Sequence, residues 1–447
     1  MVLRALSLAG LFCMIALAWL ASEDRKGISP RLVVWAIGLQ FAIGLLLLPT
    51  PIQDRVFAPV LRTLVRAVTL GRVDLQATPD RLFFSAMSAV VDLLTRSTLE
   101  GSRFVFGKLA TDLNIGATVA FQVLPVIILV SALSGIGYHL GIIQAVVRSV
   151  AWLMRRSLKT SGAETFGAAL LVFLGIESMT AIRAYLKTMT QSELLTIMTA
   201  FMATIAGSVM VVYAGFGAEP GHLLTASLMS APAAILVSKI LVPEKENLGA
   251  APERIRVTVE SCNIVDAAAR GASDGLTLAL GVGAMLIAFL GIVYLIDAAL
   301  GVIATPIIRY VYAPVAASYG LPTVDALTLK GLFSVVFAPF AWVMGVPKED
   351  IFEVARLLGT KTVLNEFLAY VDLQQARHVL SPRGYLISLY ALCGFANPGS
   401  LGIVIAGLTA LAPERRTDIV KLGMRAFIGG TLACFMTACV AGALIYE

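Results

Sequence analysis

Long apolar runs, separated by short polar segments, dominate the pattern of this chain. Runs of about 20 apolar residues have the length that a helix needs to cross the hydrocarbon core of a bilayer. The runs that hold at most one charged residue cover residues 3–21, 32–48, 115–141, 195–213, 223–242, 276–296, 386–411 and 426–446. The pattern therefore predicts an all-α integral membrane protein with several spanning helices.

The first run, residues 3–21, ends in small residues and is also compatible with a secretory signal. Its length is closer to the roughly 20 residues of a spanning helix than to the roughly 7–15 of a signal core, so we interpret it as a membrane helix.

Two other segments carry spaced charges. Residues 53–113 are too polar to span and are predicted to form interfacial helices, and residues 141–159 are predicted to form an amphipathic helix.

Residues 161–186 and 332–370 fit neither pattern, because glycine, proline or a carboxylate interrupts each apolar stretch. Interrupted backbone at membrane depth is tolerated where it is buried in protein or lines a cavity. The two segments occupy matching places in the two halves, and each is followed by a span rich in small residues. This arrangement is typical of an inverted-repeat transporter with a site near the bilayer midplane, although a similarity this weak also arises by chance.

Composition agrees with a membrane protein, since 58% of the residues are hydrophobic and 14% are charged, against roughly a quarter charged in soluble domains. The net charge of +6 is scattered, and no run of five basic residues indicates a nucleic-acid partner. The absence of a Walker phosphate loop argues against an ATP-driven pump. The five cysteines form no CxxC motif and no metal-like spacing with the three histidines, so no metal site is certain.

Glu177 and Glu366 lie inside hydrophobic segments, where an ionisable side chain costs at least about 2.5–3.5 kcal/mol. They are therefore candidates for binding a solute or an ion. The alternative is that each pairs with a neighbouring base, Arg183 or Lys361, only to stabilise its segment. An enzyme with the two glutamates as acid and base is not expected, because the sequence shows no nucleophile beside a base and no metal motif.

A helix break is predicted at Asn397, because Pro398 removes a backbone donor and frees an upstream carbonyl. Backbone groups beside Asn397 and Ser400 can then hydrogen-bond a polar solute. The alternative is a packing interface of small residues between helices. Phe395 can stack on a planar base, or it can belong to the core.

These features occur within a series of distinctive stretches. They are Ser161-Gly-Ala-Glu164, Met189-Thr-Gln-Ser-Glu193, Ala203-Thr-Ile-Ala-Gly-Ser208, His222-Leu-Leu-Thr-Ala-Ser-Leu-Met-Ser-Ala-Pro232, Gly271-Ala-Ser-Asp-Gly275, Lys361-Thr-Val-Leu-Asn-Glu-Phe367, Cys393-Gly-Phe-Ala-Asn-Pro-Gly-Ser-Leu-Gly-Ile403 and Ala433-Cys-Phe-Met-Thr-Ala438. Through them the chain resembles the concentrative nucleoside transporters over nearly its whole length. The resemblance implies about eight spanning helices, interfacial helices and two re-entrant hairpins in an inverted repeat. It also implies a multi-pass homotrimer of the cell inner membrane that contacts the lipid bilayer and a nucleoside.

The resemblance divides the chain into four parts. Residues 1–160 are the N-terminal spans and interfacial helices, mainly scaffold, and residues 161–242 are the first half of the transport domain, with hairpin 1. Residues 243–330 are a connecting segment and a scaffold helix. Residues 331–447 are the second half of the transport domain, with hairpin 2, the broken helix and the last helix.

The resemblance also implies a set of substrate-binding residues. They are Glu366, Asn397 and Ser400 on the ribose side with Phe395 beside them, and Gly175, Ile176 and Glu177 at the tip of hairpin 1 together with Val209. The tip departs from the family pattern Gly-Gln-Thr-Glu-Ala-Pro, and Ile176 cannot replace the donor and acceptor of the missing glutamine. The preferred base stays open, and the alternative is a diverged carrier of the same fold for a different small polar solute.

The coupling ion is H⁺ or Na⁺, and no other cofactor is expected. Sodium-coupled relatives carry an asparagine where this chain has Leu170 or Leu171, and their backbone ligands map to Thr204 and Ile205. A leucine side chain offers no oxygen to a hard cation. We therefore favour secondary active symport of nucleosides into the cell driven by protons, with one of the two intramembrane glutamates as the proton carrier.

Overall fold

The structure is a computed structural model that describes residues 1–50, 53, 55, 59, 78–111, 119–245, 261–307 and 327–445. These residues form helices and connecting turns, and no strand occurs among them. Eight helical segments in this part of the chain are long and apolar enough to cross a membrane. The prediction of an all-α integral membrane protein is confirmed.

The helices are labelled in chain order. In the first half they are α1 (Val2–Leu20), α2 (Pro30–Leu47), α3 (Pro79–Phe106), α4 (Leu124–His139), α5 (Ile142–Leu158), α6 (Gly162–Leu171), α7 (Gln191–Ala203), α8 (Gly207–Gly215) and α9 (Pro220–Leu241). In the second half they are α10 (Ile264–Ile307), α11 (Leu329–Val343), α12 (Ile351–Gly359), α13 (Glu366–Gln375), α14 (Pro382–Leu392), α15 (Pro398–Leu411) and α16 (Arg416–Leu444). Short helical turns connect several of them.

Helix α3 covers the second part of the segment predicted to be interfacial, residues 53–113. It is 28 residues long, and residues 82–95 hold a single charge, Asp92, so its length and composition alone would also allow it to span. That it lies at the interface stays a prediction. The first part, residues 60–77, lies outside the described residues, as do residues 246–260 of the polar connection.

The run at residues 195–213 differs from the prediction, because it is two helices and not one. Helix α7 ends at Ala203, residues 204–206 are extended, and α8 begins at Gly207. No proline marks this break. It is stabilised by contacts with hairpin 1, where the Gly207 N–H donates to Phe173 O at 3.0 Å and Thr204 Oγ1 donates to Leu171 O at 3.1 Å.

The predicted break at Asn397 is confirmed. Helix α14 ends at Leu392, and α15 begins at Pro398 after the non-helical residues 393–397. Asn397 is extended and caps α15, with Oδ1 accepting from the Ser400 N–H at 2.8 Å. Proline at the first position of α15 suits a helix start, because its missing N–H would have no intrahelical partner there.

The first interrupted segment forms a helical hairpin, whereas the second, residues 332–370, begins within the separate helix α11 and includes only part of its hairpin. Hairpin 1, residues 162–186, consists of α6, a 3₁₀ turn at Ile176–Ile182 and a final turn at Arg183–Leu186. Hairpin 2, residues 351–375, consists of α12, a π turn at Thr360–Leu364 and α13. The chain direction changes at Asn365, which is extended and whose Oδ1 caps α13 by accepting from the Leu368 N–H at 2.9 Å.

A buried ion pair ties hairpin 1 to α9. Ser161 and Glu164 form a capping box at the start of α6, and the fully buried Glu164 lies 2.8 Å from Lys239 Nζ. Lys239 also contacts Glu244 at 3.1 Å. Because a buried charge is costly without a partner, this pair fixes the start of the hairpin against α9.

The Gly-Ala-Ser-Asp-Gly motif has a packing role. Gly271 and Gly275 lie one turn apart on α10 and face α4. A Cβ atom at Gly271 would stand 2.4 Å from the carbonyl oxygen of Ser131, and one at Gly275 would stand 2.8 Å from Cα of Ile128. The two backbones are in direct contact, as is usual where small residues repeat along a membrane helix.

We expect Gly271→Val to destabilise the protein by about 1–3 kcal/mol, because the side chain would force α4 and α10 apart. The thermal unfolding midpoint of the purified protein in detergent measures this loss. Gly281→Val on the same helix is the matched control, since a Cβ there meets nothing within 4 Å. Equal shifts for the two variants would contradict the contact.

Candidate functional site

The carboxylate of Glu366 is the centre of the site. It is 1% exposed and accepts two hydrogen bonds, from Asn397 Nδ2 to Oε2 at 2.5 Å and from Tyr213 Oη to Oε1 at 3.0 Å. The three side chains come from hairpin 2, from the second break and from α8. Both oxygens of the carboxyl group act as acceptors, so Glu366 connects the three elements.

Helix ends explain why a carboxylate is tolerated here. Glu366 is the first residue of α13, and its partner Asn397 is the cap of α15. The N-termini of both helices therefore meet at the carboxylate. Each N-terminus carries a positive partial charge, which stabilises a negative group placed there.

Tyr213 is a site residue that sequence reasoning missed. Its ring stacks on Tyr370, with centroids 4.3 Å apart, and meets Phe367 edge-on at 5.1 Å. Tyr370 is itself held by a hydrogen bond from Oη to Leu389 O at 3.2 Å. The sequence does contain a signal for this residue, a tyrosine at the end of an apolar run, since its hydroxyl needs a hydrogen-bond partner once it is buried.

The predicted residues fall into two groups. The structure brings Glu366, Asn397 and Ser400 together through the bonds described above. Phe395 and Val209 are buried beside the breaks, and the Phe395 ring packs against Phe201 at 5.4 Å in the core. That these residues bind a solute stays a prediction.

The tip of hairpin 1 is a tight turn. Gly175 precedes the 3₁₀ turn that contains Ile176 and Glu177, and its carbonyl accepts from Ser178 Oγ at 2.6 Å. The side chains of Ile176 and Glu177 lie outside the described part of the structure. Their roles on the base side, and that of Glu177 in ion coupling, stay predictions.

A cavity of about 710 Å³ opens beside this tip, between hairpin 1 and the helix pair α4 and α10. Its size lies in the range of small-molecule sites. Hydroxyl groups and one carboxylate line it on both sides, from Ser178, Thr180 and Ser208 and from Ser131, Ser134 and Asp274. The cavity can hold a polar solute next to the hairpin tip.

The tentative ion ligands lie at the first break. Thr204 Oγ1 donates to Leu171 O at 3.1 Å and to Ala200 O at 2.8 Å, and the Ile205 N–H donates to Ser227 Oγ at 3.4 Å. Within the described residues, no group of three or more His, Cys, Asp or Glu side chains could hold a metal ion. A cation here would depend on backbone carbonyls and hydroxyls, which are the oxygen ligands that hard cations accept.

Lys361 does not pair with Glu366, so the alternative of a simple ion pair in hairpin 2 is wrong. Its ammonium donates to Ala391 O at 3.2 Å. The partners of the glutamate are the neutral side chains of Asn397 and Tyr213.

The comparisons with known proteins agree with this geometry. The family profile described as "Na+ dependent nucleoside transporter C-terminus" matches residues 222–442, the corresponding N-terminal profile matches residues 9–69, and one described as "Nucleoside recognition" matches residues 120–220.

Among full-length proteins, the chain is 38% identical to solute carrier family 28 member 3 of Mus musculus, over 98% of this chain and 58% of that protein. The chain therefore spans less than two thirds of that relative. It is 35% identical to an uncharacterized transporter of Haemophilus influenzae, over 98% of this chain and 97% of that one. The solved structure of CNTnw in an inward-facing substrate-bound state matches with a TM-score of 0.80 and 32% identity, over 99% of this chain and 98% of that one.

We expect Tyr213→Phe to lower the free energy of unfolding by about 1–3 kcal/mol, because it leaves Oε1 of the buried Glu366 without its donor. Thermal unfolding in detergent measures the loss. Tyr294→Phe is the control, since the Tyr294 side chain is 76% exposed. An unchanged midpoint for Tyr213→Phe would show that this hydrogen bond does not hold the carboxylate.

Proposed function

The chain belongs to the family of Na⁺-dependent, concentrative nucleoside transporters, and on that premise we propose that it is a secondary active symporter that imports nucleosides across the cell inner membrane. The buried carboxylate of Glu366, which accepts hydrogen bonds from two neutral donors, is the observation that carries this proposal. A carboxylate accepts hydrogen bonds from the hydroxyls of a ribose as readily as from an amide or a phenol.

Glu366, Asn397 and Ser400 bind the ribose in this proposal. Asn397 offers both a donor and an acceptor, and the Ser400 hydroxyl lies one turn further along α15. On solute binding, ribose hydroxyls replace one or both of the donors on the carboxylate. The exchange keeps the buried charge satisfied, which avoids the cost of an unpaired carboxylate.

The base occupies the side of hairpin 1, against Gly175, Ile176 and Glu177, with Val209 and Phe395 as apolar walls. The hydroxyls of the neighbouring cavity give the solute polar contacts on its way to this site. The homotrimer, the four-part division of the chain and the movement of hairpins and broken helices against the scaffold are part of the same proposal.

A proton is the coupling ion that we propose. Leu170 and Leu171 are fully buried hydrocarbon side chains at the position where an amide ligand is expected for sodium. The proton carrier is one of the two intramembrane glutamates, Glu177 or Glu366, because a glutamate moves through apolar surroundings at lower cost when it is protonated. A proton gradient supplies about 1.4 kcal/mol per pH unit, which is about tenfold accumulation of a neutral solute.

Sodium is the second candidate, and two observations favour it. The family profiles are described as Na⁺-dependent. The first break also brings unwound backbone at Thr204 and Ile205 to the C-terminal end of α7, the arrangement in which broken-helix transporters coordinate cations.

We expect proteoliposomes to accumulate radiolabelled uridine when a proton gradient is imposed without sodium. Glu366→Gln should reduce this uptake at least about a hundredfold, because each charge-assisted hydrogen bond lost is worth about tenfold. Glu349→Gln, at an exposed carboxylate, is the matched control. Full uptake by folded Glu366→Gln would remove this residue from the site, and uptake that requires sodium would replace the proton by the second candidate.

The altered tip of hairpin 1 favours a second candidate substrate, a small polar solute other than an ordinary nucleoside. A thermal-shift screen of the purified protein against nucleosides, free bases and sugars separates the two possibilities. We expect stabilisation by nucleosides, since bound ligands raise the unfolding midpoint. Stabilisation by another solute class alone would identify a diverged carrier.

A further inference from the structure

Lys361 is a fully buried lysine that makes no ion pair within the described part of the chain. Its side chain is 0% exposed, and Nζ donates to the carbonyl oxygen of Ala391 at 3.2 Å. A buried ammonium is ordinarily paired with a carboxylate, because its desolvation is costly. Lys239 shows that ordinary case, with Glu164 at 2.8 Å. Lys361 has no carboxylate within contact distance in this part of the chain, and Glu366 attracts it at longer range.

The acceptor of Lys361 belongs to the C-terminal end of a broken helix. Ala391 is in the last turn of α14, immediately before the second break. The final carbonyls of a helix have no intrahelical donor and carry a negative partial charge. Tyr370 supplies a neutral donor to Leu389 O in the same turn, at 3.2 Å. Lys361 adds a full positive charge to this negative end.

A positive charge is not required merely to end such a helix. Helix α7 also ends at a break, at Ala203. There the donors to the last carbonyls are the hydroxyl of Thr204, at 2.8 Å from Ala200 O, and the thiol of Cys434, at 3.7 Å from Ala203 O. Neutral donors therefore suffice in the first half, and the charge of Lys361 has a further role.

That role follows from the position of Glu366. Lys361 and Glu366 flank the change of chain direction at Asn365 in hairpin 2. Lys361 contacts the C-terminal end of α14, and Glu366 contacts Asn397, the cap of α15. The positive side chain thus meets the negative end of one half-helix, and the negative side chain meets the positive end of the other.

We propose that these two contacts form a charged clamp across the second break. The contact of Lys361 is permanent and holds a cation, covalently attached to hairpin 2, at the end of α14. The contact of Glu366 is exchangeable, because the solute replaces its partner. Lys361 keeps hairpin 2 docked on α14 during that exchange and so positions Glu366. The exchange at Glu366 rests on the proposed transport function. In a variant with a shorter side chain at position 361, the space left by the Lys361 ammonium is a site for a small primary alkylammonium ion.

Charge and size are separated by two variants. Lys361→Met keeps the approximate length of the side chain and removes the charge, whereas Lys361→Arg keeps the charge. We expect Lys361→Met to raise the apparent KM for uridine about tenfold to a hundredfold, the worth of one hydrogen bond from a charged group. The maximal rate should change less, and Lys361→Arg should restore most of the affinity. A KM for folded Lys361→Met equal to that of the unmodified protein, or an arginine variant as impaired as the methionine variant, would overturn the proposal.

Chemical rescue tests directly whether a free ammonium ion can replace the ammonium group of Lys361. Lys361→Ala should recover uptake when ethylammonium chloride is added, whereas an equal concentration of tetramethylammonium chloride, which has no N–H donor, should have no effect. Lys421→Ala is the matched control, at an exposed lysine of α16, and should not respond to the amine. Absence of rescue in folded Lys361→Ala would overturn the assignment.

A second readout does not depend on transport. Ethylammonium should raise the thermal unfolding midpoint of Lys361→Ala and leave that of the unmodified protein unchanged, since a ligand stabilises only the form that binds it. If the unmodified protein takes up no nucleoside, the proposed function fails while this shift still supports the cation site. If the unmodified protein transports and the shift is absent, the clamp alone is wrong.

Discussion

The burial of charge at a break in a membrane helix is the constraint on which the rest of this structure depends. Glu366 is buried among helices, and it is tolerable there because two neutral donors meet its oxygens and two helix N-termini lie beside it. The break between α14 and α15 supplies one of those N-termini, and hairpin 2 supplies the other. Without the break, the carboxylate would keep only the N-terminus of α13 to compensate its desolvation.

The two broken helices are coupled by direct contact. Gly394, in the second break, has φ of 157° and approaches the end of α7 so closely that a Cβ atom would stand 2.9 Å from the carbonyl of Ala203. Phe201 and Phe395 pack against each other beside this crossing. The two breaks are therefore in direct van der Waals contact, and neither can change its backbone path without the other giving way.

Two different solutions hold the hairpins in place. Hairpin 1 is fixed to α9 by a conventional buried ion pair between Glu164 and Lys239. Hairpin 2 contacts α14 through hydrogen bonds to backbone carbonyls, from Lys361 to Ala391 O and from Tyr370 to Leu389 O, and Glu366 makes no ion pair with the described residues there. The hydrogen-bond partners of the Glu366 carboxylate are therefore neutral, an amide and a phenol, whereas that of Glu164 is charged.

Much of this protein could be predicted from its sequence, because the signals are local. The lengths of the apolar runs identify the fold class, and the proline after Asn397 predicts the second break. The cost of an intramembrane carboxylate identifies Glu177 and Glu366 as candidates. The tertiary structure alone decided that residues 204–206 are unwound, that Tyr213 is a donor to the glutamate and that Lys361 bonds to a helix end. The physical reason is that these features depend on partners far apart along the chain, which no local pattern of residues encodes.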